Sequence, residues 1–367
     1  MSLLHKVGLT YITSIGSALA KNLLAYCGNA EEVFKAGEAK LFTVPGMGDK
    51  RIARLDFDEA LRKAEEELKF IEKNEIDVLF YTDSRYPKRL KNCHDSPILL
   101  YSTGNADLNN YRIISIVGTR NATDYGRQLC RQLVEELEQY NVIIVSGLAH
   151  GIDVAAHKEC LKANVPTVGV LGHGLDKIYP SQNRSTADKM LENGGLLTEY
   201  PSGTIPGREN FPQRNRIVAG IADATVVIEA SVKGGALITA EIANSYNRDV
   251  FAFPGRVGDV YSEGCNFLVR NNKAALLTCA ADLAYSLGWE KPDDLKPTAE
   301  QQFMLPIDLS TDEQTIYNVI QQHKQPLAID DLTIKTNMPM SLLAMNLLNM
   351  EMQGYIRSLP GKTYQVN

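Results

Sequence analysis

Arg112-Ile113-Ile114-Ser115-Ile116-Val117, followed at once by Gly118-Thr119-Arg120, is the stretch from which the fold can be read. Its apolar residues run on rather than alternate. A strand of that kind is buried on both faces, as in a parallel sheet covered by helices. Runs of the same character recur at 141–146, 166–171, 195–199, 224–230 and 249–253. Helix-like segments separate them at 123–139, 151–163, 183–193, 212–222 and 234–247. The alternation predicts an α/β fold with a doubly wound parallel sheet. Ligands of such sheets bind at the carboxyl ends of the strands. Gly118, Gly147, Gly172 and Gly255 each follow a predicted strand, where backbone can come close to a ligand.

Asn210-Phe211-Pro212-Gln213-Arg214-Asn215-Arg216-Ile217-Val218-Ala219-Gly220 does not read as core. Arginine is rarely buried without a partner. Its planar fork suits bidentate phosphate recognition, and an aromatic beside it suits base stacking. With Val117-Gly118-Thr119-Arg120 and Ser146-Gly147-Leu148-Ala149-His150-Gly151-Ile152-Asp153, it forms a strand-end pocket built around an anion. One of Arg214 and Arg216 is expected to turn inward, because residues two apart on a helix face different ways. For Arg216 the partner would be Glu199 or Glu229.

The flanks read differently. Residues 1–75 are helical, with Leu19, Leu23 and Leu24, then Leu61, Leu68 and Ile71, at helix spacing. Val44-Pro45-Gly46-Met47-Gly48-Asp49-Lys50-Arg51-Ile52-Ala53 resembles a helix-hairpin-helix motif, and Ser14-Ile15-Gly16-Ser17 resembles a second copy. Gly46, Gly48, Lys50 and Arg51 are therefore candidate backbone contacts to a nucleic acid. The equal alternative is a small helical, SAM-like domain that no longer meets DNA. Residues 76–290 hold the sheet, and 76–111 are mixed in character. Residues 291–308, with Pro292, Pro297 and Pro306, read as a linker. Residues 309–367 read as three helices and a hairpin turning at Pro360-Gly361, a winged helix. Its recognition helix, 338–353, contains no lysine or arginine and is rich in methionine. That predicts contact with protein rather than DNA.

Composition narrows the class. The 367 residues exceed one ordinary core, and 44% hydrophobic with 22% charged residues is a soluble composition. No apolar run approaches a membrane span, and the N-terminus is too interrupted for a signal peptide, so a cytoplasmic protein is expected. The six cysteines form no ligand cluster, so no metal is expected. A net charge of −6 excludes a general basic coat and requires any nucleic-acid site to be local.

Several chemistries lack their motifs. Ser146, His150, Asp153 and His157 suggest a hydrolase, yet Ser146 lacks the upstream glycine of a nucleophile elbow. A phosphate-loop role is favoured, with Asp153 orienting the Gly147–Gly151 loop. Neither a P-loop nor G-x-G-x-x-G after the first of these strands is present. Gly172 and Gly174 mark a further glycine-rich strand exit, in Leu171-Gly172-His173-Gly174-Leu175-Asp176 with Tyr179-Pro180-Ser181-Gln182-Asn183 following.

Taken in order, these segments resemble the DNA-processing protein A (DprA/Smf) family. The resemblance rests on 117–120, 146–157, 171–183, Thr198-Glu199-Tyr200-Pro201, 210–220 and Phe253-Pro254-Gly255. It implies an extended Rossmann fold acting as a homodimer. It also implies a single-stranded DNA binder that protects incoming DNA and hands it to the RecA recombinase in natural transformation. Single-strand-binding protein is a candidate further partner. No catalytic residue, cofactor or turnover is implied. Arg120, Arg208, Phe211, Arg214, Asn215 and Arg216 fall where the family holds DNA, and Gly147 is counted with them. Gly118, Ser146, Gly151, Asp153, Gly172 and Gly174 would support the phosphate loops. The chain departs from the family at Lys233-Gly234-Gly235, where a Ser-Gly pair is usual, and at 270–274.

Two other classes remain open. One is a nucleotide hydrolase or phosphoribohydrolase using Glu229 or His150. The other is a regulatory interaction protein with a degenerate pocket.

Overall fold

The structure, a computed structural model, describes residues 2–289, 309–321, 323, 326–359 and 363–366. These residues fall into two compact units, one on either side of the 290–308 stretch. The expected linker at 291–308 and the turn at Pro360-Gly361 lie outside the described residues.

The first unit begins with helices α1 (Leu3–Tyr11), α2 (Ser17–Cys27), α3 (Ala30–Lys35), α4 (Glu38–Phe42), α5 (Asp49–Ile52) and α6 (Phe57–Lys73). Asn29 and Asp56 cap α3 and α6 by accepting from Glu32 N and Glu59 N. The buried face of α6 is Ala60, Ala64, Glu67 and Ile71, one stripe at helix spacing. Next come β1 (Asp77–Phe80), α7 (Lys88–Lys91) and β2 (Leu99–Gly104). Phe80, Leu99 and Tyr101 share one apolar cluster with Val7, Leu9 and Leu23 of the helices. The expected division at 75/76 therefore falls inside one packed body.

The remaining strands are β3 (Arg112–Val117), β4 (Val142–Ser146), β5 (Thr167–Val170), β6 (Gly194–Thr198), β7 (Ala224–Val227), β8 (Asp249–Ala252) and β9 (Ala275–Leu276). They alternate with α8 (Asp124–Leu137), α9 (Ile152–Lys162), α10 (Arg184–Met190), α11 (Asn210–Ile221), α12 (Gly235–Ser245), α13 (Glu263–Arg270) and α14 (Ala280–Ser286). The sheet order is β1-β2-β6-β5-β4-β3-β7-β8-β9. From β6 to β9 every pairing is parallel. β1 and β2 pair antiparallel, and β2 joins β6 antiparallel. The sheet is thus mixed at one edge rather than parallel throughout. Reading 76–111 as mixed placed no strand there, and the two that it holds extend the sheet.

Period-2 geometry explains the burial on both faces. Ile113, Val117, Ile143 and Val145 pack under α11 and α12 with Ile217, Val218 and Ala240. Ile114, Ile116, Val142 and Ile144 pack on the other face with Leu133 and Val134 of α8 and Ala156 and Cys160 of α9. Each such side chain contributes about 1.5–3 kcal/mol by leaving water. The winding reverses between β3 and β7, so their carboxyl ends diverge and leave a crevice.

The second unit comprises α15 (Thr311–Gln321), β10 (Leu327–Ala328), α16 (Ile329–Thr336), α17 (Met340–Met352), β11 (Ile356–Leu359) and β12 (Thr363–Val366). A capping box opens α15: Glu313 N donates to Ser310 Oγ at 3.3 Å and Ser310 N to Glu313 Oε2 at 3.0 Å. The small sheet runs β10-β12-β11. Ile316, Ile320, Leu332, Leu343, Leu347, Met350 and Ile356 form its core. This is a winged helix. Among the described residues no helix is long and apolar enough to cross a membrane.

Candidate nucleic-acid interface

A cavity of about 590 Å³ lies at the switch point, lined by the loop after β3, the loop after β4, the start of α11 and the start of α12. Glycine lets these loops meet. At Gly118 an added Cβ would stand 2.5 Å from Ile152 Cγ1. Gly151 has φ +80°, and an added Cβ would stand 2.1 Å from Thr119 O. Ile152 N then donates to Thr119 O at 3.1 Å, joining the two loops. Ser146 is buried and donates to Ile116 O at 2.6 Å, which ties β4 to β3. Gly172 lies against the Phe211 ring, and Gly174 against Pro201 O.

Arg214 is 4% exposed. Its Nη1 donates to Gly147 O at 2.6 Å and to Val170 O, fastening the ends of β4 and β5. Gly147 has no room for a side chain, since an added Cβ would stand 2.3 Å from that Nη1. Burial pushes the Asp153 carboxyl up, and the Arg214 charge and the Ala149 N–H oppose the rise. Burial lowers Arg214, with Asp153 resisting. Asp153 also accepts from Ala149 N at 3.4 Å, within the Gly147–Gly151 loop. Arg216 pairs through Nη2 with Glu199 Oε2, and the two side chains are 15% and 14% exposed.

One inward arginine was expected; both turn inward. They do point apart, but both directions end on buried acceptors. Arg214 and Arg216 therefore each brace the fold, while Arg214 also lines the cavity and Arg216 a neighbouring groove.

The cations that remain outward on this cavity are Arg120 and Arg208, and neither makes a salt bridge among the described residues. The Arg120 guanidinium lies 5.6 Å from the Phe211 ring centroid. Phe211 stacks on Tyr179 at 6.0 Å and 27°. Arg120, Phe211 and Tyr179 thus form one layered edge of the cavity. Tyr179 is 52% exposed, and sequence reasoning gave it no role of its own. Its signal was an aromatic inside a glycine-rich strand exit. Asn215 also lines the cavity, as does the first turn of α12, which has no side-chain cap and no acid. Those free amides favour an anion.

The hydrolase residues do not form a triad. His157 Nδ1 lies 2.7 Å from Thr167 Oγ1 in the core, while His150 is exposed on its loop. Glu229 takes Thr123 N at 2.9 Å and Thr123 Oγ1 at 2.5 Å, and so holds the residue whose Oγ1 caps α8 by accepting from Gly126 N. The Gly46, Gly48, Lys50 and Arg51 turn is not part of the strand-end cavity. Arg51 Nη1 folds back onto Gly46 O. Gly46 and Arg51 instead line a separate open groove with Gln213 and Arg216.

Residues 77–288 match the family described as DNA recombination-mediator protein A, and 299–362 match the DprA winged helix domain. The chain belongs to the DprA/Smf family. Protein Smf of Synechocystis sp. is 33% identical across 96% of both chains. DprA of Streptococcus pneumoniae is 39% identical over 55% of this chain and 71% of its own. The X-ray structure of the Streptococcus pneumoniae DprA covers 79% of this chain and 99% of its own, with TM-score 0.69 and 30% identity. DprA of Helicobacter pylori, whose structure is described as giving insight into its unique single-stranded DNA binding mode, covers 59% of this chain and 98% of its own. Its TM-score is 0.54 at 28% identity. The DprA/Smf membership inferred from sequence motifs holds, and so does the α/β fold with a winged helix.

Proposed function

We propose that the strand-end cavity of this DprA/Smf chain binds single-stranded DNA and that the protein is a recombination mediator without catalytic turnover. In this reading it protects incoming strands during natural transformation and, as a cytoplasmic homodimer, presents them to the RecA recombinase. Single-strand-binding protein is a further partner. The observation that carries the reading is the layer of Arg120, Phe211 and Tyr179, which sets the half-exposed Tyr179 ring, a stacking face for a base, on the same edge as a phosphate-seeking cation. Arg208, Asn215 and the amides of α12 would hold neighbouring phosphates. Arg214 and Arg216 support the site from within, with Gly118, Ser146, Gly147, Gly151, Asp153, Gly172 and Gly174. As the carboxylate of a mononucleotide enzyme Glu229 is poorly placed, since both its oxygens are engaged on Thr123. The winged helix is assigned to protein contact. Gly46, Gly48, Lys50 and Arg51 stay outside the primary site.

The test is fluorescence anisotropy with labelled oligo-dT at two salt concentrations. Wild type is compared with Arg120→Ala/Arg208→Ala, because Arg214→Ala would damage the fold itself. Wild type should bind in a salt-dependent way. The double variant should stay folded, bind weakly, and lose about 1.4 from the log–log salt slope, two phosphates at about 0.7 each. A folded wild type that ignores oligo-dT would overturn the proposal. If binding holds, RecA filament assembly on strands coated with single-strand-binding protein should start sooner when the protein is added.

A further inference from the structure

The stripe that α6 turns into the core contains one residue that does not belong to a core. Glu67 is 3% exposed, between Ala64 and Ile71. It makes no salt bridge among the described residues. A buried carboxylate is costly unless hydrogen bonds replace its water. Its donors are specific: Ser202 N at 3.0 and 3.2 Å, Ser202 Oγ at 2.5 Å and Tyr11 Oη at 3.2 Å. Only the tyrosine belongs to the helical layer. Two of the three donor groups sit on Ser202, in the loop between β6 and α11.

That loop carries Arg208 two residues before α11. Its far side is held by Asp176, whose Oδ1 accepts from Gly203 N at 3.0 Å, and by the 3.4 Å bond from Gly174 N to Thr204 O. Its exit is fixed where Asn210 N donates to Gly207 O at 3.2 Å. Between these anchors the chain carries Ile205, 70% exposed, and then Arg208. Glu67 is the tether that reaches the loop from outside the strand-end elements. A leucine at 67 would complete the apolar stripe of α6 but would leave the Ser202 amide without its carboxylate.

We propose that Glu67 is a positioning residue: by fixing Ser202 it holds the 201–207 loop so that Arg208 stands at the cavity in its binding position. The inference rests on the reading that the cavity binds single-stranded DNA. It couples the helical layer to that cavity through one carboxylate.

The experiment is a double-mutant cycle in the full chain, read by oligo-dT anisotropy. Glu67→Gln keeps the size and one acceptor for the Ser202 N–H but replaces the carboxylate oxygen that takes Ser202 Oγ and Tyr11 Oη with an amide N–H₂ that can only donate. Glu67→Gln should weaken binding about fivefold when Arg208 is present and not at all in an Arg208→Ala background. Ser202→Ala, which removes only the hydroxyl bond, should move affinity the same way by less. Tyr11→Phe, which frees the carboxylate from its helical donor alone, should leave affinity unchanged. Amide exchange at Ser202, followed without DNA, should quicken in Glu67→Gln while Tm shows the protein still folded. Equal losses in both backgrounds would make Glu67 a packing residue and overturn the proposal. Unchanged affinity, or unchanged exchange at Ser202, would overturn it too. If wild type itself fails to bind oligo-dT, the cavity reading falls with it. If wild type binds and Glu67→Gln does not matter, only the coupling falls.

Discussion

His157 sits in the core beneath the cavity, with Nδ1 on Thr167 Oγ1 and with Nε2 unpartnered among the described residues. Burial, helped by the Arg214 charge, pushes its pKa from 6.5 to about 3. In the unfolded chain it titrates normally. Between these values the unfolded state binds a proton that the folded state refuses. Its contribution is therefore fully present above pH 6.5 and is lost as pH falls toward 3. The slope is at most about 1.4 kcal/mol per pH unit, or about 2 kcal/mol at pH 5. Urea midpoints of wild type and His157→Gln should converge on moving from pH 7 to pH 5. Parallel shifts would refute the assignment. The same neighbourhood shows the limit of reading single residues. Arg-Asn-Arg in a sequence says that cations are needed there, but not for what. Ligand phosphates and buried carbonyls ask for the same forked donor, and only packing separated Arg120 and Arg208 from Arg214 and Arg216.

At the scale of elements, α11 carries Phe211 at its outer end and the buried Arg214 and half-buried Arg216 within. The helix thus anchors the stacked layer on the side chains that lock β4, β5 and β6 together. Tyr179 comes from a different loop and completes that layer. Tyr179→Ala should cost about 1–3 kcal/mol of oligo-dT affinity, the worth of one stacked base, with Tm nearly unchanged because the ring is half exposed. Retained affinity in titrations would confine stacking to Phe211. The strands from β3 to β8 were legible because burial on both faces leaves unbroken apolar runs. β1 and β2 were not read as strands because Pro87 and Pro97 interrupt their segment. Tyr179 and Glu67 escaped notice for a different reason. Each acts through a partner distant in sequence, Phe211 and Ser202. For Glu67 the only local trace was a carboxylate at a stripe position of a regular helix.

Across the whole molecule, a net charge of −6 means that affinity for a polyanion must come from a small basic focus rather than from the surface at large. Helix α17 of the winged helix has no cation with which to supply that focus. Met345, Leu348 and Met352 of α17 are 55%, 58% and 80% exposed, and residues 338–353 contain no lysine or arginine. A groove-reading helix needs cations for phosphates beside donors for base edges, and this one has no cation and exposes thioethers and a leucine beside Ser341 and Asn349. The unit has its own core in Ile316, Leu332, Leu343 and Leu347. A chain ended before residue 306 should bind oligo-dT within about twofold of the full chain and keep the same salt slope, since the phosphates held are the same. It should also lose any partner that docks on α17. A tenfold loss of DNA affinity with an altered slope, in a truncated protein of unchanged oligomeric state, would put cations of the second unit on the strand and reverse the assignment of the winged helix to protein contact.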